Sequence, residues 1–282
     1  MNYRDTDPAK IIQSQQSVAA ETLRNLGLDG SQIDKLKKVP YRDLLAAGNA
    51  ANQAVARQLG GQALGWNPIA DDQYVLREFC DWADSIPYIA GNVMSEFSSN
   101  LAKGELTKNE WSQKEIYEHL TAAFGDKKDE IVAEFKKVQP RKKVQDALFL
   151  DNRFRRGTKI MLARKLEKSK APVYNYIFAY EYQVNGGITA FHCSEIAFAF
   201  HALGEPHIHV ATGGAPAALA LQDKVSQAWV NFARTGSPSQ AGLAWKPYTL
   251  AGRETMVFDT VSEVRSVDDD KLLSLLPQDR RG

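Results

Sequence analysis

The first sixty residues carry apolar side chains at helical spacing. Between residues 15 and 26 they recur every three or four positions, and Gly27 stands where a helix commonly ends. Residues 31–39 predict a second, short helix, and the pattern over 41–59 predicts a third. We therefore expect residues 1–60 to be mostly helical.

Beyond this region, helix and strand patterns alternate, which is typical of an α/β layer. SIPYIAG (85–91) predicts a buried strand that ends in a glycine turn. The T-x-x-E signature from Thr107 to Glu110 predicts the start of a helix. The strongest strand pattern is APVYNYIFAYEY, residues 171–182. The remaining patterns predict helices over 129–138, 149–170 and 219–236, a Gly- and Pro-rich loop over 205–218, and short strands within 254–267.

The composition is that of an ordinary globular protein, and we expect a single domain over residues 1–282. Hydrophobic residues make up 44% of the chain and charged residues 24%, so the chain can bury a core. The formal net charge of +1 gives no field that would recruit nucleic acid or an anionic membrane. No stretch reaches the roughly 18 apolar residues of a transmembrane helix. The opening residues lack the apolar segment of an export signal, so we expect a soluble, cytoplasmic chain.

Two cysteines, Cys80 and Cys193, are too few for a disulfide framework and lack C-x-x-C spacing. We expect both to be buried thiols. Cys193 beside His192 suggests a thiol nucleophile, but neighbouring side chains usually point apart. His201, His207 and His209 suggest a metal site, although no matching carboxylate accompanies them.

Glu96 and His192 are the candidate catalytic residues. Each follows a predicted strand, and the ends of strands in α/β sheets are where catalytic groups gather. An acid that precedes the histidine along the chain matches the order in α/β-hydrolases. Taken alone, each residue is better interpreted structurally, His192 as a buried core histidine and Glu96 as a loop carboxylate.

Five segments in order resemble those of type-B carboxylesterases, the family that includes cholinesterases and para-nitrobenzyl esterases. IAGNVMSEF resembles the family's G-x-N-x-x-E-G acid loop, and AFHCSEIAFAF resembles its H-G-x-E histidine segment. The other three are WNPIADDQYV (66–75), APVYNYIFAYEY and AWVNFARTGSPSQAGLAWKPY (228–248). Each motif is weak alone, but the ordered set extends from about residue 16 to 260 and is specific.

The resemblance implies an α/β-hydrolase fold represented by its C-terminal half. It also implies that Glu96 is the acid of a Ser-Glu-His triad and His192 its base, and that Glu195 supports them by hydrogen bonding. The reaction would be hydrolysis of a small-molecule carboxylic ester through an acyl-serine, with no metal and no organic cofactor.

Three departures from the family pattern change this expectation. Phe97 and Cys193 replace glycines, and the 282 residues contain no G-x-S-x-G nucleophile turn. We therefore expect no activity from the chain alone. Three hypotheses follow: completion by an N-terminal esterase fragment that supplies the serine, an inactive truncated or degenerate relative, and a non-enzymatic binding module. A sheet cut between its halves would expose an apolar edge, so we also expect self-association.

Overall fold

A computed structural model describes residues 8–60, 73, 75–76 and 78–277. The chain divides into two compact units, residues 1–78 and 79–282. Most of the segment WNPIADDQYV, whose resemblance to the family was noted above, lies outside the described residues. The expectation of a single domain stays a prediction.

Residues 8–60 of the first unit are mostly helical, as the sequence pattern predicts. Helices α1 (Pro8–Asn25) and α2 (Tyr41–Gln58) flank a 3₁₀ helix (Gly30–Lys38). The two α-helices pack through a small cluster of buried residues, Val18, Ala51 and Val55. Apolar residues spaced along one face of each helix therefore meet, which is how such helices gain most of their stability.

The second unit alternates strands and helices. Its strands are β1 (Tyr88–Val93), β2 (Val173–Phe178), β3 (Glu254–Phe258) and β4 (Glu263–Ser266). Its α-helices are α3 (Asn100–Lys103), α4 (Gln113–Phe124), α5 (Lys128–Val138), α6 (Arg153–Lys168), α7 (Ile196–Ala199), α8 (Pro206–Thr212), α9 (Pro216–Thr235) and α10 (Asp270–Leu275). Short 3₁₀ helices cover Asp81–Ser85, Gly125–Lys127, Val144–Phe149 and Val184–Gly186.

The four strands form one sheet in the order β1-β2-β3-β4. The pairs β1–β2 and β2–β3 are parallel, and β3–β4 is antiparallel. The predicted strands over 85–91, 171–182 and 254–267 are thus confirmed with changed bounds. Strand β1 begins later and ends two residues beyond Gly91, β2 is shorter, and 254–267 contains both β3 and β4. Within the described residues β1 pairs only with β2, so its other edge is open.

Gly91 lies inside β1 and does not form the turn that the sequence pattern predicts. It is registered opposite Tyr176 on β2. A Cβ atom at Gly91 would lie 2.2 Å from the Tyr176 ring, so the absence of a side chain allows the ring to lie against the strand. The glycine therefore serves packing across the sheet, which is a recognised use of glycine in strands.

A continuous apolar core surrounds the sheet of the second unit. Phe178 and Phe258 on neighbouring strands are fully buried, and Trp245 packs edge-on against Phe258 with ring centroids 5.4 Å apart. Trp229 and Phe232 on α9 pack against the same core. These aromatic side chains fix the sheet, and hence the ends of its strands.

Two helix predictions need correction. The helix that ends at Phe124 begins after Ser112, because Ser112 and Glu115 form the capping box and residues 107–110 form a turn. The segment 205–218 is not all loop, since it contains α8 and the start of α9. Pro206 stands in the first turn of α8, where its missing N–H costs nothing, and a glycine ends the helix.

Candidate active site

Strand β1 carries the chain to Glu96. The sheet continues past the strand end, because Met94 N–H donates to the carbonyl of Phe178 at 2.8 Å and Ser95 N–H to that of Ala190 at 3.0 Å. Glu96 itself has a positive φ of 38°, which is uncommon for a residue with a side chain. This turn places its carboxylate back over the end of β1, where Oε1 accepts a hydrogen bond from Val93 N–H at 3.0 Å.

His192 is held against the same turn by the backbone. Phe191 forms an isolated parallel bridge with Glu96, and His192 N–H donates to the carbonyl of Glu96 at 3.1 Å. The carboxyl ends of the parallel strands β1 and β2 lie at one edge of the sheet, and the loops that follow them therefore meet there.

The side chains of Glu96 and His192 form a hydrogen bond. Glu96 Oε2 lies 2.6 Å from His192 Nδ1. Because an ionised carboxylate can only accept, such a bond uses a proton on Nδ1, and in the neutral imidazole Nε2 is then the nitrogen with the free lone pair. The Glu96 side chain is 7% exposed and the His192 side chain 44% exposed, so the acid is covered while the imidazole faces outward.

Two aromatic rings lie beside the imidazole. Phe97 stacks on His192 with centroids 4.2 Å apart and an interplanar angle of 30°. Phe154, in the first turn of α6, lies 5.9 Å from the imidazole and 5.7 Å from the Phe97 ring. These contacts restrict the rotation of the imidazole, and Phe97 leaves 62% of its own surface exposed beside it.

Glu195 lies just before α7 and beneath this pair. Its Oε1 accepts a long hydrogen bond, 3.4 Å, from the Tyr176 hydroxyl, and its buried Oε2 has no partner among the described residues. Burial, together with the charge of Glu96, raises the pKa of the Glu195 carboxyl. Burial and the two carboxylates likewise raise the pKa of Tyr176, so its hydroxyl is a hydrogen-bond donor at neutral pH.

Cys193 is exposed and Cys80 is half-buried, so the expectation of two buried thiols was wrong. Cys193 adopts φ 67°, which turns it onto the surface next to His192. Partial desolvation and the charges of Glu195 and Glu96 raise the pKa of its thiol. A raised pKa leaves less thiolate at neutral pH, which weakens the case for a cysteine nucleophile.

The suggested histidine metal site is not formed. His207 and His209 lie on α8, where residues two apart point in different directions. His201 instead hydrogen-bonds Asp223 at 2.8 Å. No group of three or more His, Cys, Asp or Glu side chains that could hold a metal ion occurs within residues 8–60 and the described part of 73–277.

The sequence of the whole chain decides its family. Residues 5–271 match the model of the carboxylesterase family. The chain belongs to the carboxylesterase family.

The chain is similar to known esterases in sequence and to solved esterase structures in fold. The para-nitrobenzyl esterase of Bacillus subtilis (strain 168) is 26% identical over 277 residues, 93% of this chain and 53% of the relative. The solved structure of an esterase from Clostridium hathewayi that can hydrolyze aliphatic aromatic polyesters is 32% identical, with a TM-score of 0.78, over 93% of this chain and 51% of that one. A carboxylesterase of Geobacillus stearothermophilus gives 22% identity and a TM-score of 0.57, over 94% and 54%.

This carboxylesterase-family chain thus has the α/β-hydrolase fold, as the sequence motifs predict. It spans about half the length of the relatives it matches. None of the helices in the described portion is both long and apolar enough to cross a bilayer.

The structure brings the predicted residues Glu96, His192 and Glu195 together, and two residues that the sequence did not single out lie beside them. Phe154 reads only as an apolar position of an amphipathic helix. Tyr176 reads as a strand residue, and its alternation with Tyr174 places both on one face of β2. Only the fold shows that Phe154 lies beside His192 and that the Tyr176 hydroxyl donates to Glu195.

Proposed function

We propose that Glu96 and His192 are the acid and the general base of carboxylic ester hydrolysis. The observation that supports this is the 2.6 Å hydrogen bond between Glu96 Oε2 and His192 Nδ1. It leaves Nε2 as the basic atom on an imidazole that is 44% exposed. Membership of the carboxylesterase family supplies the reaction class.

In this proposal His192 Nε2 takes the proton of a serine hydroxyl as that oxygen attacks the ester carbonyl. Glu96 holds the ring orientation and stabilises the imidazolium that forms. His192 then gives the proton to the departing alcohol, which leaves an acyl-serine. Water next attacks the acyl carbonyl as His192 Nε2 takes its proton, and His192 returns that proton to the serine oxygen as the carboxylic acid is released. The reaction as proposed requires no metal and no organic cofactor.

These 282 residues contain no G-x-S-x-G motif, so the serine is proposed to come from a segment outside them. Among the described residues the only hydrogen bond of the imidazole is the one at Nδ1. Nε2 is therefore available to a serine that is brought up to its exposed face. An N-terminal esterase fragment carrying the serine and the oxyanion donors is the partner that this arrangement fits.

Small-molecule carboxylic esters are the proposed substrates. The exposed Phe97 and the neighbouring Phe154 give the base an aromatic surround. Such rings suit contact with an aromatic acyl or alcohol group. Esters with an aromatic part, as in the polyesters hydrolyzed by the Clostridium hathewayi relative, are accordingly the first to assay.

The test is hydrolysis of p-nitrophenyl acetate by the chain alone and by the chain co-expressed with an N-terminal esterase fragment that carries a G-x-S-x-G serine. We expect the chain alone to hydrolyse the ester no faster than buffer does, and the combination to hydrolyse it faster. His192→Ala should abolish that turnover. The matched control is His201→Ala, since His201 is also exposed and also bonded to a carboxylate, that of Asp223 at 2.8 Å. Turnover that survives His192→Ala would contradict the proposal.

A non-enzymatic interaction module is the second candidate, favoured by exposed apolar side chains near the His192 segment. Phe97 is 62% exposed, Ile196 47% and Phe200 81%. The edge of β1 that pairs with no strand among the described residues adds a further surface of this kind. Sedimentation of the chain tests this: concentration-dependent self-association supports an interaction surface, and a compact monomer at all concentrations contradicts it. The cytoplasmic location and the absence of nucleic-acid partners stay predictions.

A further inference from the structure

The chain around Glu96 and the chain that leads to His192 run side by side and are joined at several points. Ser95 N–H bonds the carbonyl of Ala190, and His192 N–H bonds that of Glu96. These two backbone bonds lie at the site itself. The third point of attachment is a side chain, that of Asn100, four residues beyond Glu96.

Asn100 bridges the two segments with both ends of its amide. Its Nδ2 donates to the carbonyl of Gly187 at 2.9 Å, and its Oδ1 accepts from Thr189 N–H at 2.9 Å. Nδ2 also reaches the carbonyl of Glu105 at 3.2 Å, and the hydroxyl of Thr189 lies 3.3 Å from Oδ1. The Asn100 amide thereby links the loop that bears Glu96 to the loop that bears His192, as backbone hydrogen bonds link two strands.

The bridge is fully buried and fully hydrogen-bonded. Asn100 has 0% exposure and Thr189 1%, so water does not replace these bonds easily when they are lost. Thr189 stands three residues before His192 and one residue before Ala190, the acceptor of Ser95 N–H. A shift at Thr189 is therefore passed to His192 through only two intervening residues.

The same two segments are anchored again further from the site. Lys108 is buried and its Nζ lies 2.5 Å from Glu181 Oε2 and 2.9 Å from Asp146 Oδ1. Asn109 Nδ2 donates to the carbonyl of Gly186 at 2.8 Å. These contacts fix the start of the loop before His192, so Asn100 is the link between this anchor and the site.

We propose that Asn100 is a positioning residue that holds the loop of His192 against the loop of Glu96 and so sets the Glu96–His192 hydrogen bond. The functional meaning of this role rests on the proposed catalytic role of the pair. The geometric role does not, because it concerns the contact itself and is measured without ester hydrolysis.

The test compares Asn100→Ala with Asn175→Ala in the full chain. Asn175 is an equally buried asparagine, hydrogen-bonded at 2.8 Å to the Thr255 hydroxyl across β2 and β3, away from the two loops. Amide hydrogen exchange is read at Ser95 and His192, and the His192 Nδ1 proton by NMR. We expect Asn100→Ala to speed exchange at these two amides by about tenfold or more and to remove the Nδ1 signal. Asn175→Ala should leave both readouts close to wild type.

Equal effects of the two substitutions would show that Asn100 contributes only general stability, and the proposal would be wrong. If Asn100→Ala does not fold, Asn100→Ser is measured instead, because a hydroxyl keeps one polar group in the site. If neither variant folds while Asn175→Ala does, Asn100 is required for the fold as a whole, which also overturns the proposal. Absence of esterase activity in every sample leaves these readouts unchanged and bears only on the proposed function.

Discussion

His192 and Glu96 are bonded twice, once through the backbone and once through the side chains. The N–H of His192 donates to the carbonyl of Glu96 at 3.1 Å, and Glu96 Oε2 lies 2.6 Å from His192 Nδ1. The backbone bond fixes where the imidazole can reach, so the side-chain bond forms without a search through many rotamers. A pair 96 residues apart in sequence is thereby held by the sheet edge.

We predict that Cys193→Gly stabilises the chain. Cys193 adopts φ 67°, a left-handed conformation that strains a residue with a Cβ by about 1–2 kcal/mol. Glycine removes that strain and adds an entropy cost of about 0.5–1 kcal/mol. The free energy of unfolding in urea should therefore rise by about 0.5–1 kcal/mol. The control is Cys80→Gly, at an ordinary φ of −72°, which should lower it.

This prediction also accounts for the glycine that type-B carboxylesterases carry after the histidine. The conformation at position 193 favours glycine, and the chain keeps the conformation with cysteine in its place. An unfolding free energy that falls in Cys193→Gly would show that the thiol makes a compensating contact.

Gly91→Ala should destabilise the chain. The new Cβ would lie 2.2 Å from the Tyr176 ring, and that ring is fixed by an edge contact with Trp229 at 5.2 Å. Overpacking of this kind costs about 1–3 kcal/mol. Gly204→Ala, where no atom lies within 4 Å of the new Cβ, serves as the control and should change the unfolding free energy by less than about 0.5 kcal/mol. Equal values for the two variants would contradict the packing described for β1 and β2.

Helices and strands were predictable from the sequence where the hydrophobic pattern repeats over many residues. They were less predictable where a single residue determines the local structure. The strand at Val173–Phe178 and the helix at Pro216–Thr235 follow from their patterns. Gly91 did not, because a glycine in a strand pattern reads as a turn until its neighbour across the sheet is known. Helix α8 was missed because the proline and glycines that bound it also mark loops.

Only those residues of the candidate site that lie in a recognisable motif could be predicted from the sequence. The acid and histidine segments carried Glu96 and His192 through their resemblance to the carboxylesterase family. Phe154 and Asn100 belong to no such motif, and their contacts with His192 and Thr189 join residues 38 and 89 positions apart. Such contacts depend on how loops fold together, which local sequence does not specify.

Glu195→Gln should change how stability depends on pH. Burial and the charge of Glu96 raise the pKa of Glu195 above its ordinary value of 4.5. The folded chain therefore keeps the Glu195 carboxyl protonated at pH values where the unfolded chain has lost that proton. The unfolded chain then binds fewer protons, so the wild-type free energy of unfolding falls as pH rises from about 4.5 through the raised pKa. Gln carries no such proton, so the variant should gain stability relative to wild type as pH rises across this range.

Urea unfolding below pH 4.5 and at neutral pH measures this difference. The exposed Glu118, replaced as Glu118→Gln, is the control and should show little change between the two conditions. A Glu195→Gln variant that loses stability relative to wild type at neutral pH would mean that the Glu195 carboxylate is ionised and paired in the folded chain.

The hydrogen bond between Glu96 and His192 is tested most directly by NMR of the His192 Nδ1 proton in the ¹⁵N-labelled chain. The account predicts a strongly downfield, exchange-protected proton on Nδ1, because the bond to Glu96 Oε2 is 2.6 Å long. It predicts that Glu96→Ala removes this signal and that Asp223→Ala, which removes the carboxylate beside His201, leaves it in place. No such proton in the wild type, or one that persists in Glu96→Ala, would contradict the central claim.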